Sequence, residues 1–306
     1  MNVVAPIAVK GVEESVALAA ATERVGLEQY YSEAGPDYGA WSRGFNMHFG
    51  WYRWGMNPFR REAMLEQMNV EVLRRLRIES VPDACVADLG CGLGATMRAI
   101  AKRRTDAQLT GLTLVPWQVE QTQALNSAAG ISERVSLALG DYEDSGLAAE
   151  SFDAAYALES SCYAHGADKE RFLREAYRLL RPHGRLVIVD GFLRGTAPPE
   201  GLRGRIYQKL CECWVVEEFG NLELVVAAMR RVGFQDVHVE CVQYRVVPSG
   251  MHIPWVTLKF LMTEVVFGSR KMTKARWNNV IAPVLAPLVG YLGGPMTYCV
   301  IRATKR

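Results

Sequence analysis

From residue 85 onward, short apolar runs typical of β-strands alternate with longer stretches of helical periodicity. Two parallel strands need a crossover between them, usually a helix, so this alternation predicts a parallel sheet with helices on both faces. The fold class is therefore α/β, with a Rossmann-like, mostly parallel sheet of seven strands. We expect strands at 85–90, 109–114, 135–140, 152–158, 185–192, 236–244 and 296–303, and helices at 95–104, 116–129, 168–181 and 221–232.

Two further stretches lie outside this alternation. Residues 11–29 and 59–77 have helical periodicity, and the aromatic, glycine-rich stretch 30–58 between them is expected to be a structured loop. An apolar and mostly helical insertion precedes the last strand and could roof the carboxyl edge of the sheet, where ligands bind in such folds. We expect an N-terminal helical and aromatic cover at 1–80 and a core at 81–306 with a cap insertion at about 248–294.

Composition excludes several classes of protein. The 306 residues carry 35 Lys and Arg against 33 Asp and Glu, so there is no basic excess for binding nucleic acid. The longest apolar run, 281–292, is broken by Pro283, Pro287 and Gly290 and predicts no integral membrane segment. Seven unpatterned cysteines and the lack of a signal-peptide pattern predict reduced thiols and a cytoplasmic location.

A glycine-rich turn follows the first predicted strand. Asp88 ends the strand, and Gly90, Gly92 and Gly94 lead into the next helix. Glycines allow a tight turn and let a ligand approach the main chain, whose helix N-terminal amides then face it. The spacing Gly90-x-Gly92-x-x-Ala95 also fits a dinucleotide site, but such a site requires an acidic residue about 20 positions later. The residues at that distance, 111–113, are Gly-Leu-Thr and include no carboxylate. A dinucleotide site and a purely structural turn therefore remain only as minor alternatives.

The register Asp88-x-Gly90-x-Gly92-x-Gly94, followed by the strand series, resembles class I S-adenosylmethionine (SAM)-dependent methyltransferases. The resemblance covers about residues 85–192. It is greatest for the small-molecule branch that contains tocopherol C-methyltransferases, sterol C-methyltransferases and cyclopropane fatty-acid synthases. It implies SAM as the cofactor and leaves any metal requirement open.

Cofactor contacts follow from the same resemblance. Thr113 and Gln118 stand where this branch replaces the usual acidic ribose ligand, and Asp141 stands where an acid accepts the adenine amino group. An ordinary helix start and a turn aspartate are the alternatives for these positions. The resemblance implies cofactor binding by Asp88, Gly90, Gly92, Gly94, Thr113, Leu114, Gln118, Asp141, Tyr142, Leu158 and Tyr31.

Three side chains are candidates for catalysis. Residues 158–165 resemble an Ile-Glu-x-x-x-His type of segment in the same relatives, which places Glu159 at the floor of the pocket. Residues 46–52 resemble the His-x-Gly-aromatic segment that closes over SAM in tocopherol-type enzymes. A structural glutamate and core aromatics are the alternatives to these interpretations. The catalytic candidates are Glu159, His48 and His165.

The acceptor atom decides which side chains the reaction needs. An alkene becomes a carbocation when it is methylated, so it needs aromatic faces and a carboxylate that takes a proton, whereas an alcohol or amine needs a general base. Glu159 and the abundant tryptophans favour C-methylation of a hydrophobic natural product, an isoprenoid or a related alkene or aromatic compound. The expected substrate-binding residues are Trp51, Tyr52, Trp214, Phe219 and Trp255.

Other functions remain open. One is O- or N-methylation of a polyketide or alkaloid metabolite with His48 or His165 as base, and another is a SAM-fold binding protein without transfer activity. Cyclopropane synthesis at a membrane surface is a minor option. A homodimer stays open, and no metal site is predicted. The basic cluster Lys259, Arg270, Lys271, Lys274 and Arg276 is expected to be a solvated helix face, with a substrate phosphate as the alternative.

Overall fold

The computed structural model of the chain describes residues 25–195, 199–268, 270–290 and 294–306. Its central element is a seven-stranded sheet with the strand order β3-β2-β1-β4-β5-β7-β6. Within these residues β7 runs opposite to the other six strands, so the predicted α/β, mostly parallel sheet is confirmed. The strands are β1 (Cys85–Leu89), β2 (Gln108–Thr113), β3 (Val135–Leu139), β4 (Phe152–Leu158), β5 (Leu180–Leu193), β6 (Gln235–Cys241) and β7 (Met296–Thr304).

The N-terminal part differs from the sequence prediction. Most of the helix expected at 11–29 lies outside the described residues. Residues 25–34, which we call α1, are helical and continue through a 3₁₀ turn into a short helix α2 (Tyr38–Trp41). The loop expected over 30–58 is therefore wrong for residues 30–41. Tyr30 and Ala34 explain the helix, because they are spaced one turn apart and both are buried.

The remaining helices surround the sheet. The sequence pattern does not predict α7, because glycines at 201 and 204 lower its helical propensity. None of the helices among the described residues is long and apolar enough to cross a membrane. The helices are α3 (Arg61–Leu76), α4 (Ala95–Arg103), α5 (Pro116–Ala128), α6 (Glu170–Leu179), α7 (Gly201–Trp214), α8 (Leu222–Val232), α9 (Gln243–Gly250), α10 (Ile253–Leu261), a π-helical turn (Met262–Val266) and α11 (Lys274–Gly290).

Apolar side chains are buried on both faces of the sheet. Phe172 of α6 and Met229 of α8 belong to the core on one face, while Met68 of α3 and Ile100 of α4 belong to the core on the other. A third cluster joins α7 to α11 near the carboxyl edge of the parallel strands. The helical insertion therefore lies over the edge at which this class of sheet binds ligands.

A buried ion pair connects the N-terminal helices to the insertion. Arg276 of α11 is only 1% exposed, and its Nε lies 2.7 Å from Oδ2 of Asp37. Its guanidinium also contacts Glu264 at 2.6 Å, and Arg270 lies 2.8 Å from Oδ1 of Asp37. The expectation that the whole basic cluster is solvated is therefore wrong for Arg276, because two carboxylates offset the cost of burying its charge. The division into a cover and a core stays a prediction.

Candidate active site

The glycine-rich turn has a backbone that other residues would strain. Gly90, Gly92 and Gly94 have φ values of +94°, +50° and +70°, all in the left-handed region. A Cβ on Gly90 would lie 2.4 Å from Cβ of Ser160, and one on Gly94 would lie 2.6 Å from Cγ2 of Thr122. The turn therefore needs glycine for both conformation and space, as expected where a ligand approaches the main chain at a helix N-terminus.

The N-terminal segment closes over this turn. A Cβ on Gly92 would lie 3.1 Å from the sulfur of Met47. Arg98 of α4 donates to the carbonyl of Leu93 at 2.6 Å and to the carbonyl of Gly44 at 2.9 Å. These bonds join the turn to residues 44–47, which shield this edge of the sheet from solvent.

A pocket of about 860 Å³, which we call the outer pocket, opens beside the carboxyl ends of β2 and β3. Leu114, Asp141, Tyr142 and His165 are among its lining residues. Oδ1 of Asp141 accepts a hydrogen bond from the backbone N–H of Glu143 at 2.8 Å. An apolar side chain beside a carboxylate that can accept from an amine could hold the adenosine part of SAM.

A second space of about 210 Å³, which we call the inner cavity, lies at the carboxyl ends of β4 and β5 beneath α10 and α11. Tyr163 and Val216 line both spaces, so the two are neighbours. Most of the inner wall is aromatic or aliphatic. It includes Trp41, Met47, Phe49, Leu210, Trp214, Phe219, Val246, Ile253, Val256, Phe260, Val280, Pro283, Ala286 and Met296.

Glu159 is one of three carboxylates that line the inner cavity. It follows β4 with φ +51°, a conformation that costs a residue other than glycine some free energy. Its Oε1 accepts from the backbone N–H of Phe49 at 2.7 Å and from the hydroxyl of Tyr298 at 2.5 Å. Burial raises the pKa of Glu159 to about 8, although both hydrogen bonds favour the charged form. A carboxyl group with a pKa this close to neutrality can exchange a proton with a reacting group.

The other two acids of the cavity, Asp37 and Asp190, already have ion-pair or hydrogen-bond partners. Asp37 is paired with Arg270 and Arg276, and Oδ2 of Asp190 accepts from Ser161 and from the backbone N–H of Cys162. Burial raises the pKa of Asp190, and its hydrogen bonds oppose that shift. No Lys or Arg lines the cavity in the described part of the chain. The wall is thus unsuited to an anionic group.

One buried and three half-buried tyrosines lie between the two spaces. The hydroxyls of Tyr31 and Tyr163 lie 2.8 Å apart, and the hydroxyl of Tyr30 donates to Oδ1 of Asn279 at 3.0 Å. Burial raises the pKa of Tyr38 to about 12, so its phenol is neutral near pH 7. These rings are uncharged surfaces with polar ends at the junction between the pockets.

The two predicted histidines lie in different places. His48 lines the inner cavity, but its Nδ1 lies 2.8 Å from the carbonyl of Phe49 and its Nε2 lies 3.0 Å from Oδ1 of Asn69. Burial also lowers its pKa. His165 lines the outer pocket, where its Nδ1 lies 2.5 Å from Oε2 of Glu143. Neither histidine presents an unbonded ring nitrogen beside Glu159, so the geometry disfavours both as the base.

The predicted substrate-binding residues divide into two groups. Trp214 and Phe219 line the inner cavity with ring centroids 6.4 Å apart. Trp51 instead lies in the core beneath the guanidinium of Arg75, at 4.7 Å. Tyr52 and Trp255 also lie outside the cavity wall, and Trp255 is 66% exposed. The sequence prediction placed these three at the substrate. Sequence cannot decide this, because an aromatic residue in a covering segment can face the core, the cavity or solvent.

Several predicted cofactor residues lie outside the walls of both pockets. Tyr156 donates to Oδ2 of buried Asp88 at 2.7 Å, and burial raises the pKa of Asp88 to about 7. The hydroxyl of Thr113 donates to Oε1 of Gln118 at 2.6 Å. These residues and Leu158 are not in the wall of either pocket, whereas Leu114, Asp141 and Tyr142 line the outer pocket and Tyr31 lines the inner one.

Sequence reasoning missed Tyr298 and Asn279. Tyr298 lies on β7, 139 residues after Glu159, and no local motif marks it. The antiparallel pairing of β7 with β5 brings it to the site. No group of three or more His, Cys, Asp or Glu residues within the described ranges could hold a metal ion.

Comparisons with known proteins agree with this fold and turn. A family described as "Methyltransferase domain" matches residues 87–188. The probable tocopherol O-methyltransferase of Oryza sativa subsp. japonica is 25% identical over 92% of this chain and 78% of its own length. Norajmaline N-methyltransferase of Rauvolfia serpentina is 30% identical over 63% of this chain and 68% of its own length.

A solved structure shares the fold. Geranyl diphosphate C-methyltransferase from Streptomyces coelicolor A3(2), in complex with Mg²⁺, geranyl diphosphate and S-adenosyl-L-homocysteine, superposes with a TM-score of 0.66. The sequence identity is 15%, and the match covers 93% of this chain and 98% of the other. With the seven-stranded sheet and the glycine-rich turn, these matches identify the chain as a class I SAM-dependent methyltransferase that acts on small molecules.

Proposed function

We propose that this enzyme methylates a carbon atom of an uncharged, hydrophobic substrate, an isoprenoid or a related alkene or aromatic compound. The observation that carries the proposal is the inner cavity, with its largely apolar wall and the carboxylate of Glu159, whose two hydrogen-bond donors are both uncharged. Heteroatom methylation would instead favour a polar cavity with an available imidazole.

The cofactor would occupy the outer pocket and the glycine-rich turn. Leu114 and Asp141 would hold the adenosine part, while the backbone amides of the turn at the start of α4 would bind the methionine part. When bound, SAM supplies an electrophilic methyl group on a sulfonium sulfur. Tyr163 lines both spaces, so a methyl group delivered at this boundary would face the inner cavity. Closure by residues 44–47 would exclude water from the transfer.

The residues of the inner cavity would carry the rest of the reaction. When an alkene carbon takes the methyl group, the double-bond electrons form the new carbon–carbon bond, and the neighbouring carbon becomes a cation. Phe49 lies between Trp41 and Tyr298, with centroid separations of 6.2 and 6.3 Å, and such aromatic faces stabilise a cation. The cation loses a proton from an adjacent carbon, and Glu159 would accept it.

The hydrogen bonds of Glu159 suit it to this role. Both donors, Phe49 N–H and the Tyr298 hydroxyl, bind Oε1. Glu159 keeps some exposed surface although it lies deep in the protein, so that surface faces the cavity. Oε2 would therefore face the substrate, while Oε1 fixes the carboxylate in place.

The charges in the cavity favour a substrate without phosphate groups. Asp37, Glu159 and Asp190 line it, and the arginines nearest to Asp37 are already paired with carboxylates. A diphosphate would be desolvated beside acids without a cation to balance it. The structurally similar geranyl diphosphate enzyme thus shares the fold, and we propose that this chain takes a different class of acceptor.

A second candidate is N-methylation of a hydrophobic amine. The acid-lined cavity suits a protonated amine, and the relative from Rauvolfia serpentina is named an N-methyltransferase. Glu159 would then take the proton from nitrogen. We keep the cytoplasmic location and the homodimer as predictions; the name of the rice relative gives a chloroplast location for that protein.

Transfer from radiolabelled SAM to matched acceptors tests the substrate class. An isoprenoid alcohol should be methylated, and its diphosphate, with the same hydrocarbon chain, should be turned over at least about tenfold more slowly. Equal turnover of both would contradict the charge argument. Glu159→Gln should keep SAM affinity and lose most turnover; a variant as active as the wild type would remove Glu159 from the mechanism.

A further inference from the structure

The helices that roof the inner cavity also carry apolar side chains on their outer surface. On α10 and the turns around it, Met251, Trp255, Leu258, Met262 and Val265 are exposed and recur every three or four residues. Within α10 that spacing puts Trp255 and Leu258 on one helix face, with Met251 in the turn before it and Met262 and Val265 in the π-helical turn after it. Exposed apolar stripes of this length are unusual on a protein that stays in water, and they mark an interaction surface.

The neighbouring helix α11 repeats the pattern. Trp277, Ile281, Val284 and Leu288 are exposed at spacings of three or four residues. The two helices contact each other. We call these two stripes together the outer apolar face.

The opposite sides of the same helices line the cavity. Val256 and Phe260 of α10, and Val280 and Pro283 of α11, belong to its wall. Each helix is therefore apolar on two sides, one facing the acceptor site and the other facing outward. A hydrophobic molecule that leaves the outer apolar face would need to pass only this one layer of helices.

The charge of this region restricts what can bind there. Residues 251–290 contain five Lys or Arg and one Glu, a net charge of +4 in a chain whose total is +2. Lys259, Lys271 and Lys274 are exposed, whereas Arg270 and Arg276 are paired with Asp37, and Arg276 also with Glu264. A second copy of the chain would bring an equal positive charge against this one in a symmetric interface, which like-charge repulsion disfavours.

We propose that the outer apolar face of α10 and α11 docks on an anionic lipid bilayer. Apolar stripes with tryptophan, flanked by Lys and Arg, are typical of helices that lie in the plane of a membrane interface. Anionic headgroups attract the basic side chains, and the acyl region takes up the apolar ones. In this position the layer of helices over the cavity faces the bilayer, from which a hydrophobic acceptor could enter.

Co-sedimentation of the full-length protein with vesicles tests the proposal. Vesicles of equal parts phosphatidylcholine and phosphatidylglycerol should bind the wild type, and vesicles of phosphatidylcholine alone should bind it much more weakly. Leu258→Ser should weaken binding about fivefold, since one half-exposed leucine would no longer be buried. Leu139→Ser is the matched control, because Leu139 on β3 is 57% exposed, against 53% for Leu258, and lies outside the face.

A second variant tests whether basic side chains contribute to binding at the anionic membrane surface. Lys271→Glu should weaken binding to the anionic vesicles and leave the weak binding to phosphatidylcholine unchanged. SAM affinity should be the same in all the variants, which verifies that they are folded.

Failure of the wild type to sediment with anionic vesicles would overturn the proposal, as would equal losses for Leu258→Ser and Leu139→Ser. A dimer in light scattering that Leu258→Ser dissociates, without vesicle binding, would assign the face to a second copy instead. Vesicle binding does not depend on which acceptor atom is methylated, so its failure would leave the proposed C-methylation untouched.

Discussion

The hydrogen bond from Tyr298 to Glu159 allows a quantitative prediction. The hydroxyl lies 2.5 Å from Oε1, and this bond favours the charged carboxylate. A hydrogen bond to a charged group contributes about 1.5–3 kcal/mol, and the bond from Phe49 remains when the hydroxyl is removed. Taking the lower limit, Tyr298→Phe should raise the pKa of Glu159 by about one unit, since one unit corresponds to about 1.4 kcal/mol.

The sign of the effect follows from the role proposed for Glu159. Only the carboxylate can accept a proton, so a higher pKa lowers the active fraction at a given pH. A carboxyl with a pKa of about 8 is about one-tenth ionised at pH 7, and a shift of one unit reduces that to about one-hundredth. A positive charge in the cofactor site lowers the pKa in the wild type and in the variant alike. The difference between the two proteins is therefore the informative quantity.

The assay is the pH dependence of kcat/KM for the acceptor at saturating SAM. In Tyr298→Phe the acidic limb should move up by about one pH unit, with about tenfold less activity below the limb and recovery above it. Tyr31→Phe is the control, because it also removes a cavity phenol, but one bonded to Tyr163. An unmoved limb, or an equal loss of activity at every pH, would refute the reasoning.

Three further predictions concern binding and stability. Gly90→Ala should weaken SAM binding at least about tenfold in calorimetry, because the added Cβ would collide with Ser160. Gly146→Ala is the control: Gly146 also has a positive φ, +66°, but a Cβ there has no atom within 4 Å, so the affinity for SAM should be unchanged. His183→Gly should raise the free energy of unfolding in urea by about 1 kcal/mol, since His183 has φ +66° on the surface, and no gain would contradict that. Burial raises the pKa of Asp88 from 3.8 to about 7, so its ionisation destabilises the fold progressively as the pH rises from about 4 to 7. Asp88→Asn should remove that loss of stability, which is at most about 4 kcal/mol. An unchanged pH dependence of the free energy of unfolding would contradict this.

The sheet could be predicted from sequence because its signals are local. Strands such as β1 and β4 are short apolar runs, and the glycine-rich turn after β1 carries its backbone requirement in the glycines themselves. The helix over residues 30–41 was harder to predict, because its glycines and aromatics are typical of loops and only the burial of Tyr30 and Ala34 stabilises it.

The candidate site depended on contacts that sequence patterns do not contain. Glu159 was found through a motif, but its partner Tyr298 comes from β7, which strand pairing places beside β5. Trp51 and Trp214 carry the same ring, yet one packs under Arg75 in the core and the other lines the cavity. Which way an aromatic side chain faces depends on packing between distant elements, so composition alone could not separate them.

The most direct test of the proposed C-methylation uses SAM labelled with ¹³C in its methyl group. NMR of the isolated product should show the labelled methyl bonded to carbon, and mass spectrometry should show the net loss of one acceptor hydrogen. A labelled methyl on oxygen or nitrogen, formed at the same rate by Glu159→Gln, would contradict both the acceptor class and the role of Glu159.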